Sequence, residues 1–196
     1  MLLTPRPPLA LVTIVLTTLL LALPAQAGRP RPAHEPVGHL TFTSPQSNPI
    51  ALSTDGSFVY AVNPTHNSVA VINTTTRIFE KQIMVGLEPV SVAVRPDGKE
   101  VWVANHVSDS VSVIDTDPAS ASFRQVVETI QDLSADGITR FDEPVGIAFA
   151  SNAKAYVALS SRNQVAIVDA VNYAVTGSLN IRAQEPRAIA VRNGRL

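Results

Sequence analysis

A pattern of short strands recurs every 42 residues along this chain, and it constrains the fold more than any other feature. The pair Asp55-Gly56 recurs as Asp97-Gly98, and Tyr60-Ala61-Val62-Asn63 recurs as Trp102-Val103-Ala104-Asn105. The remaining matches are 68–73 with 110–115 at the same offset, then 102–105 with 156–159 and 111–115 with 165–169 at an offset of 54. Such a period indicates a repeat architecture, in which each copy is one supersecondary unit.

Within one copy, apolar residues alternate with a period of two, which indicates strands. Val90, Val92 and Val94 alternate with Ser91, Ala93 and Arg95. In the following turn, 96–98, Pro presets φ and Gly accepts a positive φ. The second copy therefore contains predicted strands at 90–95, 101–105, 110–115 and 126–130. Four short strands every ~40 residues predict an all-β fold of the β-propeller type, with one four-stranded blade per repeat. We expect valines such as Val113 to be buried within or between blades.

The residues that carry the repeat also resemble a known family. Trp102 to Asn105, followed by Asp109 to Asp115, resembles the YVTN-type β-propeller repeat, named for a Tyr-Val-Thr-Asn strand followed by a Val-x-Val-Ile-Asp strand. The resemblance covers residues 48–196 and implies an exported, seven-bladed propeller. The third copy departs from it, with Leu159 in the Asn slot and Asn152-Ala153 in place of Asp-Gly. Similar proteins include sugar-lactone hydrolases, quinoprotein dehydrogenase subunits and adhesion modules, so the resemblance implies a fold more than one activity.

The N-terminal segment is predicted to direct export. Arg6 precedes an uncharged run from Leu9 to Leu23, and Ala25-Gln26-Ala27 fits the recognition rule of signal peptidase. We therefore expect residues 1–27 to be a signal peptide and the mature protein to be periplasmic or extracellular. The alternative is an uncleaved membrane anchor, for which the run is short against the ~20 residues that span a bilayer.

The mature chain divides into a Pro-rich leader, 28–47, and a partial propeller, 48–196. The expected repeats are 48–88, 89–143, 144–185 and a truncated 186–196. Seven such blades need about 294 residues, so we expect an open arc of three to four blades, which is either a fragment or completes its ring by self-association. Gly38 to Thr43 alternates like an outer strand and is a candidate strand of a closing blade.

Composition excludes several classes of function. Sixteen acidic and fifteen basic residues leave almost no net charge, so the sequence predicts no nucleic-acid partner. The absence of cysteine excludes disulfides, thiolate metal sites, cysteine nucleophiles and covalent haem attachment. No motif of a hydrolase, metalloprotease or nucleotide-binding enzyme is present, so no catalytic, metal or cofactor residues are predicted.

The resemblance implies that the loops between blades and those between strands two and three share one face, here called the loop face. The candidate ligand or partner surface on this face consists of Glu88, Glu143, Glu185, Asn63, Asn105, His66 and His106. The alternative, which we favour, is that each Glu-Pro pair only starts a strand, with the glutamates solvated and both histidines exposed. Asp132, Asp136 and Asp142 could hold calcium, but they lack EF-hand spacing and a solvated loop is the better interpretation. Trp102, in the slot of Tyr60 and Tyr156, is expected to pack between blades.

Two functions remain open at this point. One is a non-catalytic extracytoplasmic scaffold that binds a protein or small molecule at the loop face. The other is a fragment of a propeller enzyme or redox protein (lactonase-like, quinoprotein-like or cytochrome-associated) whose catalytic part lies outside this chain. The first is favoured because no set of acid, base or metal ligands is visible in the sequence.

Overall fold

A computed structural model of the protein describes residues 45–133, 137–193 and 196. The predicted signal peptide, leader residues 28–44 and the candidate closing strand 38–43 lie outside the described residues. Asp136 and Gly194 also lie outside them.

The described residues form three four-stranded antiparallel sheets, each with its strands in sequence order. Blade 1 contains β1 (Ile50–Leu52), β2 (Phe58–Asn63), β3 (Ser68–Asn73) and β4 (Phe79–Met84); blade 2 contains β5 (Pro89–Val94), β6 (Glu100–Asn105), β7 (Ser110–Asp115) and β8 (Val126–Ile130); blade 3 contains β9 (Pro144–Ser151), β10 (Lys154–Leu159), β11 (Gln164–Asp169) and β12 (Ala174–Asn180). A short 3₁₀ turn, Pro64–His66, joins β2 to β3. The all-β prediction of an incomplete propeller of four-stranded blades is therefore confirmed.

The turns between the first two strands follow the turn chemistry of the sequence. Gly56 and Gly98 have φ values of 75° and 73°, which glycine adopts without a steric penalty. Gly98 also lies close to blade 1, since a β-carbon there would be 2.3 Å from Thr54 Oγ1. In blade 3, where the sequence has Asn152-Ala153 instead, β9 is longer and reaches β10 through these two residues alone. The departure from the repeat thus shortens the turn and leaves the blade intact.

The alternating valines pack between the blades. Between blades 1 and 2, Val69 and Val71 pack with Val92 and Val103, and all four side chains are fully buried. Between blades 2 and 3, Val113 lies in a cluster with Trp102, whose ring meets Phe149 edge to face at a centroid distance of 5.0 Å. The expected packing role of Trp102 and the burial of Val113 are confirmed. Val94, at the end of β5, is only partly buried.

The inner strands approach one another around the axis of the arc. Asn48 bridges Ser91 in the parallel sense, and the Ser47 hydroxyl donates to the carbonyl of Val145 in blade 3. The segment after β12 contributes as well, since a β-carbon on Gly146 would lie 2.5 Å from the Arg187 carbonyl oxygen. Residues 181–193 contain no strand, although the sequence places the start of a fourth repeat there. Glycine at 146 is what permits this close approach of two backbones.

Two connections in blade 2 are longer than their counterparts and account for the 54-residue offset. The first, 116–125, packs back on blade 1, where Arg124 pairs with Glu80 at 2.6 Å and lies over the Phe58 ring at 4.6 Å. The second, 131–143, leads to blade 3 and buries Phe141 in the cluster around Trp102. Within residues 45–133, 137–193 and 196, no helix has the length and hydrophobicity needed to cross a membrane.

Candidate functional site on the loop face

The three Glu-Pro connections are held by the same backbone contact in every blade. An Asn or Asp side chain in the turn between strands two and three accepts a hydrogen bond from the Glu backbone N–H. The pairs are Asn67 Oδ1 with Glu88 N, Asp109 Oδ1 with Glu143 N, and Asn163 Oδ1 with Glu185 N, each at 2.9 Å. The loops between strands two and three therefore lie directly against the connections between blades, as the resemblance implied.

All six residues of these pairs have a left-handed backbone, with φ between 47° and 53°. Asn and Asp tolerate this region, whereas Glu pays a steric cost there. The Glu carbonyls are fixed too, because His106 N donates to Glu88 O at 2.9 Å and Ser160 N donates to Glu143 O at 3.0 Å. The backbones of Glu88 and Glu143 are thus hydrogen-bonded at both the N–H and the carbonyl, and their side chains start from fixed positions on the loop face.

The candidate residues of blade 1 and the blade 2 asparagine sit in separate local contacts. His66 Nδ1 lies 3.2 Å from Asn63 Oδ1 within the 3₁₀ turn. Asn105 is fully buried, and its amide donates to Ser110 Oγ at 3.1 Å and Ser112 Oγ at 2.9 Å. Asn105 therefore lies beneath the loop face and orders the start of β7.

His106 and Glu143 are brought together at the contact between blades 2 and 3. His106 Nε2 lies 4.0 Å from Glu143 Oε2, and the same oxygen accepts the Ser160 hydroxyl at 2.9 Å. The His106 side chain is 9% exposed and that of Glu143 is 46% exposed, so the expectation of an exposed loop histidine is wrong for His106. The ring is covered because His106 N is bonded to the Glu88 connection while its side chain turns towards blade 3. We call His106, Glu143 and Ser160 the loop-face cluster.

The loop-face cluster combines a covered imidazole with an accessible carboxylate. His106 Nδ1 is buried and has no hydrogen-bond partner among the described residues. Glu143 Oε1 likewise accepts no hydrogen bond from the part of the chain that the structure describes. Chemically, this arrangement offers a fixed acceptor to a cationic or hydroxyl-bearing group.

Three other acidic candidates face arginines. Glu185 pairs with Arg187 at 3.3 Å and Asp132 with Arg140 at 3.2 Å, while Asp142 lies 3.8 Å from Arg162. Among residues 45–133, 137–193 and 196, no group of three or more metal-binding side chains is present. The carboxylates proposed for calcium are thus balanced locally by positive charge where they are described.

A second polar network, which the sequence reasoning missed, joins blades 2 and 3 on the opposite face. The buried carboxylate of Glu100 accepts three hydrogen bonds, from Arg95 Nη1 at 2.5 Å, Trp102 Nε1 at 2.8 Å and the Tyr173 hydroxyl at 2.8 Å. Burial of Tyr173, reinforced by its hydrogen bond to this carboxylate, raises its pKa to about 12. In the sequence, a glutamate two residues before a strand tryptophan is only a weak signal for such a network. Tyr173 and Ser160 give no signal at all, because their partners Glu100 and Glu143 lie in another repeat.

Comparison with known families decides the classification. Residues 32–136, more than half of the chain, match the family described as "Lactonase, 7-bladed beta-propeller". The chain belongs to this family. The family is described as a β-propeller, which is the fold that the repeat predicted. The matched residues include blades 1 and 2 and part of the segment that precedes them.

Solved structures confirm the propeller fold of this lactonase-family chain. It superposes on hydrazine synthase of Kuenenia stuttgartiensis with a TM-score of 0.56 and 26% identity over 78% of this chain and 41% of that one. It also matches the β-propeller domain of Cps50 from Myceliophteria thermophila, with a TM-score of 0.59, 13% identity and coverages of 72% and 45%. A functionally unknown protein from Desulfotomaculum acetoxidans gives a TM-score of 0.60 at 15% identity, with coverages of 74% and 45%.

The chain spans less than half the length of these three structures. No curated protein matches it. The family membership and the neighbours therefore establish the fold of this lactonase-family propeller, while its ligand has to be argued from its own residues.

Proposed function

We propose that this propeller is a non-catalytic binding scaffold whose ligand or partner contacts the loop-face cluster. The observation that supports this is the Glu143 carboxylate, which is half exposed, oriented by Ser160 and adjacent to a covered imidazole. Its backbone is fixed by Asp109 and Ser160, so only the side chain remains to be ordered when a ligand binds. A cationic group on a protein or small molecule is the chemistry that this surface fits. Asn63, His66, Glu88 and Glu185 remain candidates for the surrounding surface, whereas Asn105 is buried beneath it.

Calorimetric titration with calcium and, separately, with a lysine-containing peptide tests this surface. We expect Glu143→Gln to lower the affinity for the cationic probe about tenfold, which corresponds to ~1.4 kcal/mol. Glu185→Gln is the matched control, because Arg187 already neutralises that carboxylate and the substitution should change little. Equal heats from wild type, Glu143→Gln and the triple Gln variant at 88, 143 and 185 would show that these glutamates bind neither probe, and would contradict the proposal.

We propose in addition that the protein acts outside the cytoplasm. The support is the uncharged run from Leu9 to Leu23 followed by Ala25-Gln26-Ala27. The mature protein is then expected to begin at Gly28, which the intact mass of the secreted or periplasmic product measures. Recovery of a product that retains Met1 in the membrane fraction would contradict export with cleavage and favour an anchor.

A lactonase-like activity is the second candidate, and the family match is the observation that favours it. In this alternative, the catalytic groups come in part from outside this chain, and the loop-face cluster contributes a carboxylate to the substrate. Incubation with a panel of sugar lactones, with measurement of the acid that ring opening releases, distinguishes the two proposals. If wild type opens the lactone ring and Glu143→Gln does not, the protein is an enzyme and the scaffold proposal is wrong.

A further inference from the structure

A cavity of about 340 Å³ lies between blade 3 and the connection 131–143, on the side of blade 3 that faces blade 2. Its floor is apolar and consists of Leu159, Ala166 and Val175. The volume falls within the ~300–1,000 Å³ that small-molecule pockets occupy. Because a following blade would pack on the opposite side of blade 3, this cavity does not depend on where the described arc ends. We call it the rim pocket.

The repeat shows why this space is open between blades 2 and 3. In blade 2, the equivalent positions hold a buried, hydrogen-bonded network of Asn105, Ser110 and Ser112. The short connection from blade 1 lies directly on this network, since a β-carbon on Gly86 would be 2.6 Å from Asn105 Nδ2. At an offset of 54, blade 3 has instead Leu159, Gln164 and Ala166. Leucine and alanine side chains cannot form the network, and the longer connection leaves the space above them open.

The connection itself holds Arg140 at the rim of the pocket. Leu133 and Thr139 form an antiparallel bridge, and Arg140 N donates to Asp132 O at 2.8 Å. Phe141, the next residue, is completely buried in the core between blades 2 and 3 and anchors this segment. The backbone at the rim is therefore ordered before a ligand binds, which lowers the entropy cost of binding.

The two arginines that line the pocket, Arg140 and Arg162, have more donors than acceptors around them. A guanidinium carries five N–H donors. Arg140 Nη2 donates to Asp132 Oδ1 at 3.2 Å, and Arg162 Nη2 donates to the Thr139 carbonyl at 2.5 Å. Arg162 Nε is buried and has no hydrogen-bond partner among the described residues, since Asp142 Oδ2 lies 3.8 Å away. A buried donor without an acceptor costs free energy, which an anion that accepts from Arg162 would recover.

We propose that the rim pocket binds a small organic carboxylate. The carboxylate oxygens accept hydrogen bonds from the guanidinium groups of Arg140 and Arg162, whose planar shape matches a carboxylate, and the apolar part of the ligand packs on the floor. A monoanion is favoured over a phosphate dianion, because Asp132 and Asp142 lie beside the arginines and repel a second negative charge.

Benzoate is the probe for this site, and benzamide is its neutral counterpart of the same shape. NMR chemical-shift titration of the isotopically labelled full chain measures both affinities. We expect benzamide to bind about tenfold more weakly than benzoate, and Arg162→Gln to weaken benzoate binding by about tenfold, because each change removes a charge-assisted contact. Arg187→Gln is the matched control and should leave the affinity unchanged, since the side chains of Arg162 and Arg187 are 33% and 34% exposed.

A second variant fills the pocket without removing a charge. Ser178 is exposed and pairs with Ala166 of the floor, so Ser178→Leu places its side chain in the cavity and should abolish benzoate binding. Thr129→Leu is its control, because Thr129 is exposed at the equivalent position of β8 and pairs with Ser112. This control should bind benzoate like wild type.

Four results would overturn the proposal: no binding of benzoate, equal binding of benzamide, stronger binding of inorganic phosphate, or an unchanged benzoate affinity in Ser178→Leu. The spectra show whether each variant is folded, and Ser178→Leu decides if Arg162→Gln is not. The loop-face cluster is proposed for cations, and Glu143→Gln should leave benzoate binding unchanged, so the two proposals fail separately.

Discussion

Val113→Asp is expected to lower the free energy of unfolding by about 4 kcal/mol, the size of effect that a buried unpaired charge produces. Val113 is fully buried in the cluster that joins blades 2 and 3, beside Trp102 and Val157. The side chain is enclosed between the two blades, so a carboxylate at this position has no route to solvent. Urea denaturation followed by the fluorescence of Trp102, the single tryptophan, measures the change.

Val127→Asp is the control for this prediction, because Val127 lies on the outer strand of the same blade and is 42% exposed. The same substitution there should cost less than about 1 kcal/mol. If Val127→Asp were the more destabilising of the two, the assignment of the inner and outer faces of blade 2 would be reversed.

Glu100→Ala is expected to destabilise the protein by about 3 kcal/mol, because it leaves the buried donors of Trp102 and Tyr173 without an acceptor. Arg95 keeps its ion pair with Asp97 at 2.9 Å. The carboxylate accepts hydrogen bonds from Arg95, Trp102 and Tyr173, and the last of these belongs to blade 3. Tyr173→Phe removes a single donor and should cost about 1.5 kcal/mol. Thermal unfolding of both single variants and the double variant measures the coupling, which should be strongly non-additive since the hydroxyl and the carboxylate share one bond.

Alkaline pH should weaken the same contact. The fold raises the pKa of Tyr173 from its ordinary value of 10 to about 12, so the folded state favours the neutral phenol. The stabilisation is therefore complete below about pH 10 and is lost as the pH rises towards 12. The difference in urea midpoint between wild type and Tyr173→Phe should shrink over this interval. A constant difference would show that the hydroxyl does not titrate with this pKa.

The two polar systems at the contact between blades 2 and 3 have different roles. The Glu100 network is fully hydrogen-bonded and holds the blades together, whereas the loop-face cluster leaves Glu143 half exposed and His106 Nδ1 without a partner among the described residues. Satisfied buried networks stabilise, and unsatisfied groups beside an accessible surface are where a ligand gains most. This contrast is why the loop-face cluster, and not the Glu100 network, supports a binding function.

The repeat alone was enough to predict the strands of blade 2 to within a residue. Ser110–Asp115 and Val126–Ile130 are observed as predicted, because a period of two and the Asp-Gly turn are local signals that each copy repeats. The same repetition predicted the burial of Val113, which is confirmed, whereas Val94 is only partly buried. The resemblance to the propeller repeat implied that the three Glu-Pro connections share one face. The role of the Glu-Pro pairs was less visible, since the Asn or Asp that holds each Glu lies about 20 residues or more earlier in the chain.

The strand pattern, the turn positions and the propeller class can be predicted from the amino-acid sequence, since these depend on periodicity and on the conformational preferences of single residues. The burial of His106, the orientation of Glu143 by Ser160 and the link that Glu100 makes between two blades become visible only in the folded protein. Each of these contacts links different repeats, over 17 to 73 residues of chain, and burial and hydrogen bonding at such separations are set by how the blades pack. The physical reason is that a repeat determines the form of a blade, whereas a site arises where two unlike blades meet.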